Sequence, residues 1–135
     1  MREILFRGKD KDTGEWVIGA SFDKYNDDYM VIKSKEELGW IHHTVDPKTV
    51  GQYIGLEDKN GNKIFEGDYL KTIALTGEVY VQEVRWTNNF NIAGFRMVDS
   101  DEYWDDFDDY NGRIEVVGNI HDDDIEKIKE EVYNA

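Results

Sequence analysis

The sequence predicts a mainly β protein: an N-terminal β-meander, an SH3-like small barrel and a short C-terminal helix. Three features predict it. Short runs of β-branched and aromatic residues alternate with clusters of Gly, Asn, Asp and Ser along the chain. Asn60-Gly61, near the middle, is a strong hairpin signal because a type I′ turn needs φ > 0 at both central residues. Beyond residue 120 the apolar period changes from two residues to that of a helix. The expected layout is a meander over residues 1–44, a Gly-rich connecting hairpin over 45–68, and the barrel with its helix over 69–135.

In order, residues 3–7 form a first strand, and Gly8 to Glu15 is a polar turn containing Asp12-Thr13-Gly14. The stretch Trp16 to Phe22 pairs back on that strand. Asp23 to Asp28 is an acidic turn, and Tyr29 to Lys33 is the next strand. Ser34 and Glu37 have capping-box spacing, which predicts a short helical turn ending near Gly39. Asp46-Pro47-Lys48-Thr49 fits a type I turn, since Pro47 presets φ and Asp46 can bond the backbone. A two-residue loop at Asn60-Gly61 would pair Asp58 with Lys63 and Leu56 with Phe65. Glu66-Gly67-Asp68 makes another tight turn before a strand at Tyr69 to Ile73.

Thr76-Gly77-Glu78 reads as a hairpin turn leading into Val79 to Thr87, the longest strand. Val79, Val81 and Glu83 lie on one of its faces, and Tyr80, Gln82, Val84 and Trp86 on the other. Asn88 to Asn91 is a loop, followed by strands at Ala93 to Val98 and Arg113 to Ile120. Strands of this length joined by tight turns are what predicts the small barrel. In the tail, Asp123 and Glu126 mark a helix start, and Ile125, Ile128 and Val132 share one face. So short a helix is marginal alone and needs docking.

The chain has 135 residues, 30 acidic and 16 basic, for a net charge of −14. That length suits one domain or two small lobes, burying about two-thirds of the unfolded chain's surface. With no cysteine, disulfides, thiol nucleophiles and thiolate metal sites are excluded. Arg2, Glu3 and Arg7 interrupt the first apolar run, so it is not expected to act as a signal peptide, and no uncharged stretch reaches bilayer length. A soluble protein of the cytoplasm is expected. The acidic balance repels nucleic-acid phosphates and anionic lipid, and Arg2, Arg7, Arg85, Arg96 and Arg113 are scattered. Direct nucleic-acid or membrane binding is therefore not expected.

Glu66 and Asp68 alternate onto one side of an extended chain, as an acid–base carboxylate pair would. Such chemistry needs one of them buried, and Gly67 between them predicts a solvent-facing turn in which Asp68 bonds turn amides. His42 and His43 point to opposite faces of a strand. His121, Asp122 and Asp124 are oxygen- and nitrogen-bearing neighbours, but without His-x₃-His or His-Glu-x-x-His spacing. Asp58 to Asn62 differs from a calcium loop in having Gly61 at the fourth place and Tyr69 at the twelfth. There is no phosphate loop or nucleophile elbow. No catalytic residue, cofactor site or metal site is assigned, and an enzyme is not expected.

The unusual stretch runs from Asp99 to Tyr110, where seven acids surround four aromatics. It predicts a partner-binding segment comprising Asp101, Glu102, Tyr103, Trp104, Asp105, Asp106, Phe107, Asp108 and Asp109. Tyr103, Trp104 and Phe107 would be anchors, and the carboxylates would steer a basic partner. The competing reading folds the aromatics onto the core and leaves the acids in water. Pro47, Asn60, Gly61, Gly67 and Asp68 are assigned to structural turns.

The stretch VDPKTVGQYIGLEDKNGNKIFEGDYL, the opening Arg2-Glu3-Ile4 with Phe6-Arg7, and the late Val116-Val117-Gly118-Asn119-Ile120 resemble the YopX family of phage and prophage proteins. The specific portion is Thr49 to Asp68. After the late Gly-Asn-Ile this chain has His121-Asp122-Asp123-Asp124 where the family pattern has a proline-containing tail. The resemblance implies fold and a bacterial-host setting, and carries no activity, ligand or catalytic residue with it. A non-catalytic accessory protein that binds an unidentified, conceivably basic protein is expected, with homo-oligomerisation open. The alternatives are an acidic mimic of nucleic acid that blocks a host DNA-binding protein and, third, an enzyme with a carboxylate or metal site.

Overall fold

The computed structural model describes residues 3–24, 26–27, 30–89, 92–100, 103–110 and 112–134, with the backbone alone at 36, 89, 92, 100, 103, 104, 108 and 109. It is mainly β, and the chain divides into two compact units, Met1–Gly55 and Leu56–Ala135.

In the first unit, β1 (Phe6–Lys9) pairs with β2 (Trp16–Gly19) in a hairpin whose register sets Lys9 opposite Trp16. β3 (Ser21–Lys24), β4 (Met30–Glu36) and β5 (Gly39–Val45) form an antiparallel three-stranded sheet. The 3-10 turn Pro47–Thr49 follows, with the Asp46 carboxylate accepting from the Lys48 amide. β6 (Gly51–Glu57) starts by pairing with β1. Met30, Ile32 and Val45 form the core, with Phe6, Val17 and Val50 packed against it.

Two expectations for this unit are corrected. Trp16 to Phe22 is not one strand: residues up to Gly19 pair with β1, and those from Ser21 pair with β4. Ser34 caps no helical turn. It lies in β4 opposite Ile41, and its hydroxyl is 2.9 Å from Nε2 of His43 on β5. Pairing with β5 along the whole of β4, from Met30↔Val45 to Glu36↔Gly39, outweighs the local capping-box spacing.

β6 runs on into the second unit and turns back as β7 (Lys63–Phe65). The hairpin loop has three residues instead of two. The Gly61 amide bonds the Asp58 carbonyl at 3.1 Å, and the Asp58 amide bonds the Asn62 carbonyl at 2.8 Å. This is a turn over Lys59 and Asn60 followed by Gly61 at φ 83°, a left-handed position that suits glycine. The extra residue shifts the register, so Lys63 faces Glu57, with Nζ 3.7 Å from its carboxylate, and not Asp58.

Asp58, closing the loop opposite Asn62 and no longer opposite Lys63, is buried. Its carboxylate accepts from the amides of Asn60 (2.9 Å), Asn62 (2.9 Å) and Val116 (3.0 Å), and from the Asn62 side chain (3.3 Å). Burial alone would push its pKa up, but the Val116, Asn62 and Asn60 amides outweigh that and hold it below the usual carboxylate range.

The rest of this unit is β8 (Asp68–Ile73), β9 (Val79–Asn89), β10 (Ile92–Ser100), β11 (Tyr103–Asp105), the 3-10 turn Phe107–Tyr110, β12 (Ile114–Asn119) and α1 (Ile125–Tyr133). The sheet order is β11-β10-β9-β8-β12, with the last strand returning beside the first after a 3-10 turn. That is the strand order of an SH3-like barrel, here a sheet curled into a half-barrel. Asn88 and Asn89, expected in a loop, lie in the ladder opposite Ala93 and Ile92, because backbone pairing outweighs the low β-propensity of asparagine.

The two faces of β9 divide as their alternation predicts. Gln82 and Val84 are buried with Leu70, Thr72 and Met97 on one side. On the other, Val81 and Tyr69 meet Ile128, with Ile125, Val132 and Val117 packed around them. The helix is capped by Asp124, whose side chain accepts from the Glu126 amide. Asp123, the expected cap, instead accepts from the Asn119 amide at 3.0 Å. Gly118 lets the helix approach, since a Cβ there would fall 2.6 Å from Ile128 Cδ1. The Tyr133 hydroxyl also accepts from the Val81 amide at 3.2 Å.

Asp58→Ala should lower stability at pH 7 by about 2–3 kcal/mol, because buried amides lose their acceptor. The depressed pKa of Asp58 means its contribution is complete above the unfolded value near 3.8 and is lost as pH falls through the folded value. Urea titrations of both proteins should therefore converge as pH drops below about 4. Equal stability at pH 7 would show that the carboxylate holds nothing together.

Deleting residues 124–135 should lower the melting temperature by uncovering Tyr69 and Val81, and Ile128→Ala should cost about 2–4 kcal/mol. Unchanged melts for both variants would show that the helix is not docked.

Candidate functional site

The acidic–aromatic segment is built into the edge of the curled sheet. Asp101 and Glu102 lie outside the described residues. Tyr103, Trp104 and Asp105 form β11, which pairs with β10 through Met97↔Asp105 and Val98↔Trp104, with a bulge toward Ser100. Phe107, Asp108 and Asp109 lie in the following 3-10 turn. A strand at this place was not foreseen, because a three-residue run broken by acids has too little periodicity to register.

Two of the acids are fastened from beneath. Gln82 is buried on β9, where its Oε1 accepts from the Thr72 hydroxyl at 3.1 Å and its Nε2 donates to Asp105 at 2.8 Å. Asp106 Oδ1 lies 3.3 Å from Nε of Arg96, a side chain only 7% exposed. Arg96 Nη1 also donates to the Thr87 hydroxyl at 2.7 Å. A buried guanidinium requires such partners. Sequence reading missed Gln82, Thr72 and Arg96 as supports; the only local sign was Gln82 on an otherwise apolar strand face. Phe107 is half-buried and walls an open hollow of about 340 Å³ with Leu56, Ile64 and Ile114.

The two edges of the sheet differ. On the β12 side, the Lys59 amide donates to the Ile114 carbonyl at 3.0 Å and Asp58 accepts from the Val116 amide. The hairpin tip thus occupies that edge as a short strand would. On the β11 side, no strand among the described residues pairs beyond Tyr103–Asp105.

The remaining candidates resolve as follows. Asp68 is almost fully buried, not solvent-facing, and its Oδ2 accepts from the Phe65 amide at 2.8 Å across the turn at Gly67. Glu66 is half-buried in the same turn. Asp122, Asp123 and Asp124 each bond the turn that leads into the helix, and the His121 amide donates to Asn119 Oδ1. Among the described residues, no three His, Asp or Glu side chains are grouped for a metal ion.

One constellation was invisible in sequence. Ser34 Oγ is 2.9 Å from His43 Nε2, and Asp10 Oδ2 is 3.6 Å from His43 Nδ1. The order is that of a serine-nucleophile triad, but the Asp–His separation exceeds a hydrogen bond. The other oxygen of Asp10 is held by the amides of Asp12 and Thr13. Those amides come first among the causes that depress the Asp10 pKa, and His43 adds to them. The group ties the β1–β2 turn to β5.

No curated protein matches the chain. The family described as YopX protein matches it over residues 5–125, from the approach to β1 through to the start of the helix. The chain belongs to the YopX family.

Proposed function

We propose that this protein is a non-catalytic accessory protein of phage or prophage origin, working in the host cytoplasm, that binds another protein along β11. The observation that carries the reading is the contrast between the edges of the curled sheet. One is filled by the Asp58 hairpin, and the other ends on a strand flanked by carboxylates. An unpaired strand edge offers backbone groups to an extended segment of a partner. Acids along it keep most strands away and favour a basic one. The hollow walled by Phe107 lies in the same unit and suits one apolar anchor side chain. Among the described residues, no helix is long and apolar enough to cross a membrane.

The alternative, a mimic of nucleic-acid phosphates, requires the carboxylates themselves to face the partner. Asp105 instead bonds the buried Gln82 within the sheet, which favours edge pairing.

The test uses the immobilised chain against bacterial host lysate, followed by kinetics with the purified partner. Asp108→Asn with Asp109→Asn, which spares the bonds of Asp105 and Asp106, should slow association and flatten its salt dependence. Trp104→Ala should speed dissociation. Duplex DNA should not displace the partner; displacement would establish the mimic. Capture of nothing, or folded variants with unchanged kinetics, would overturn the binding reading.

A further inference from the structure

The hairpin at Asp58 carries a chemically reactive pair of residues. Asn-Gly occurs twice in the chain, at Asn60-Gly61 and at Asn111-Gly112, and Asn111 lies outside the described residues. In such a pair the backbone nitrogen that follows asparagine can attack the side-chain carboxamide carbon, because glycine puts no Cβ in the way. Asn60 and Gly61 are both exposed, and a Cβ built on Gly61 would meet nothing within 4 Å. Water and base therefore reach the pair from outside.

The fold opposes that attack. The Gly61 amide donates to the Asp58 carbonyl at 3.1 Å, which holds its proton on the nitrogen. The Asp58 carboxylate accepts from the Asn60 amide at 2.9 Å, so a negative charge already stands beside the place where the attacking amide anion would form. We propose that Asn60 is a succinimide-forming modification site that the Asp58 hairpin holds latent and that reacts when the hairpin opens. In the first step the Gly61 amide gives up its proton and its nitrogen bonds Asn60 Cγ. The carboxamide nitrogen takes up a proton and leaves as ammonia. Water then opens the cyclic imide at either carbonyl, giving aspartate or isoaspartate at this position. The imide nitrogen carries no hydrogen, so closing the ring also destroys the bond to the Asp58 carbonyl.

Refolding does not undo the change. Isoaspartate adds one carbon to the main chain inside a tight loop, whose closing bonds run from the Gly61 amide to the Asp58 carbonyl and from the Asp58 amide to the Asn62 carbonyl. Aspartate instead brings a second carboxylate close to that of Asp58, and like charges so near disfavour each other. The same hairpin holds β12, through the Val116 amide on the Asp58 carboxylate at 3.0 Å and the Lys59 amide on the Ile114 carbonyl at 3.0 Å. The isoaspartate form therefore loosens the hairpin tip from β12 and uncovers the sheet edge that it fills. This site is independent of β11 and needs no partner.

The test compares the native full chain with the same chain unfolded in urea, at one pH and temperature. Peptide mapping follows the exchange of carboxamide for carboxylate at each Asn-Gly pair. Both pairs should react in urea, and Asn60 should react at least about tenfold more slowly in the native chain. Asp58→Ala, which removes the carboxylate and keeps the reactive pair, should react at Asn60 at least about threefold faster than the native wild type. The isoaspartate form of the wild type, separated after ageing, should exchange its Val116 amide hydrogen at least about tenfold faster than the unmodified chain. This last measurement holds whether or not Asp58→Ala folds. Equal rates at Asn60 in the native and unfolded chain would overturn the inference. So would a folded Asp58→Ala that reacts at the wild-type rate, or an isoaspartate form whose Val116 amide is as protected as before.

Discussion

The carboxylate of Asp58 is the interaction on which the second unit depends. One side chain shapes the hairpin, through the amides of Asn60 and Asn62, and closes the far edge of the curled sheet, through the amide of Val116. Neither task would be possible had the loop been two residues long, since Asp58 would then face Lys63 in water. The third loop residue, with Gly61 in the left-handed region, turns a surface pair into an interior acceptor. Burial raises the cost of the charge, and three amide donors more than offset it. The Lys59–Glu115 ion pair alongside, at 3.3 Å and partly exposed, adds little by comparison.

Edges are where the fold and the proposed roles meet. A β protein must do something with each unpaired strand, and this chain does three different things. It fills the β12 edge with its own hairpin tip, surrounds β11 with acids, and leaves Gly39 to His43 of β5 free of charge. The first is structural. The second and third have the opposite chemical character. A basic segment has no reason to prefer the uncharged edge.

Buried polar groups make the acidic strand a fixed feature. Thr72, Gln82 and Asp105 form a continuous line of hydrogen bonds, and Arg96 ties Asp106 to Thr87. Gln82 and Thr72 are buried, and such links are costly to leave half made, so the end of β11 is held where the Asp105 carboxylate meets Gln82. A strand positioned in advance loses less entropy on binding than a free loop. The acidity that solubilises the chain therefore also has a defined geometry at this edge.

The sequence by itself determined the β class, the long strand at Val79, the division of its two faces, and the docking of Ile125, Ile128 and Val132. Each of these rests on a periodicity or a turn residue that acts over a few neighbours. Asn60-Gly61 likewise marked the hairpin, although not its length, because two- and three-residue loops share the same residues and differ only in where the backbone bonds close. Tertiary structure alone decided the rest. Ser34 became a strand residue because β4 pairs with β5 along its whole length, setting Ser34 opposite Ile41. Asp58 and Val116 met because β12 returns beside β8, fifty-eight residues along the chain. Gln82 and Arg96 became supports for Asp105 and Asp106, and Asp10, Ser34 and His43 were gathered, through pairings between strands distant in sequence. No local pattern encodes such contacts; they exist once the sheets have formed.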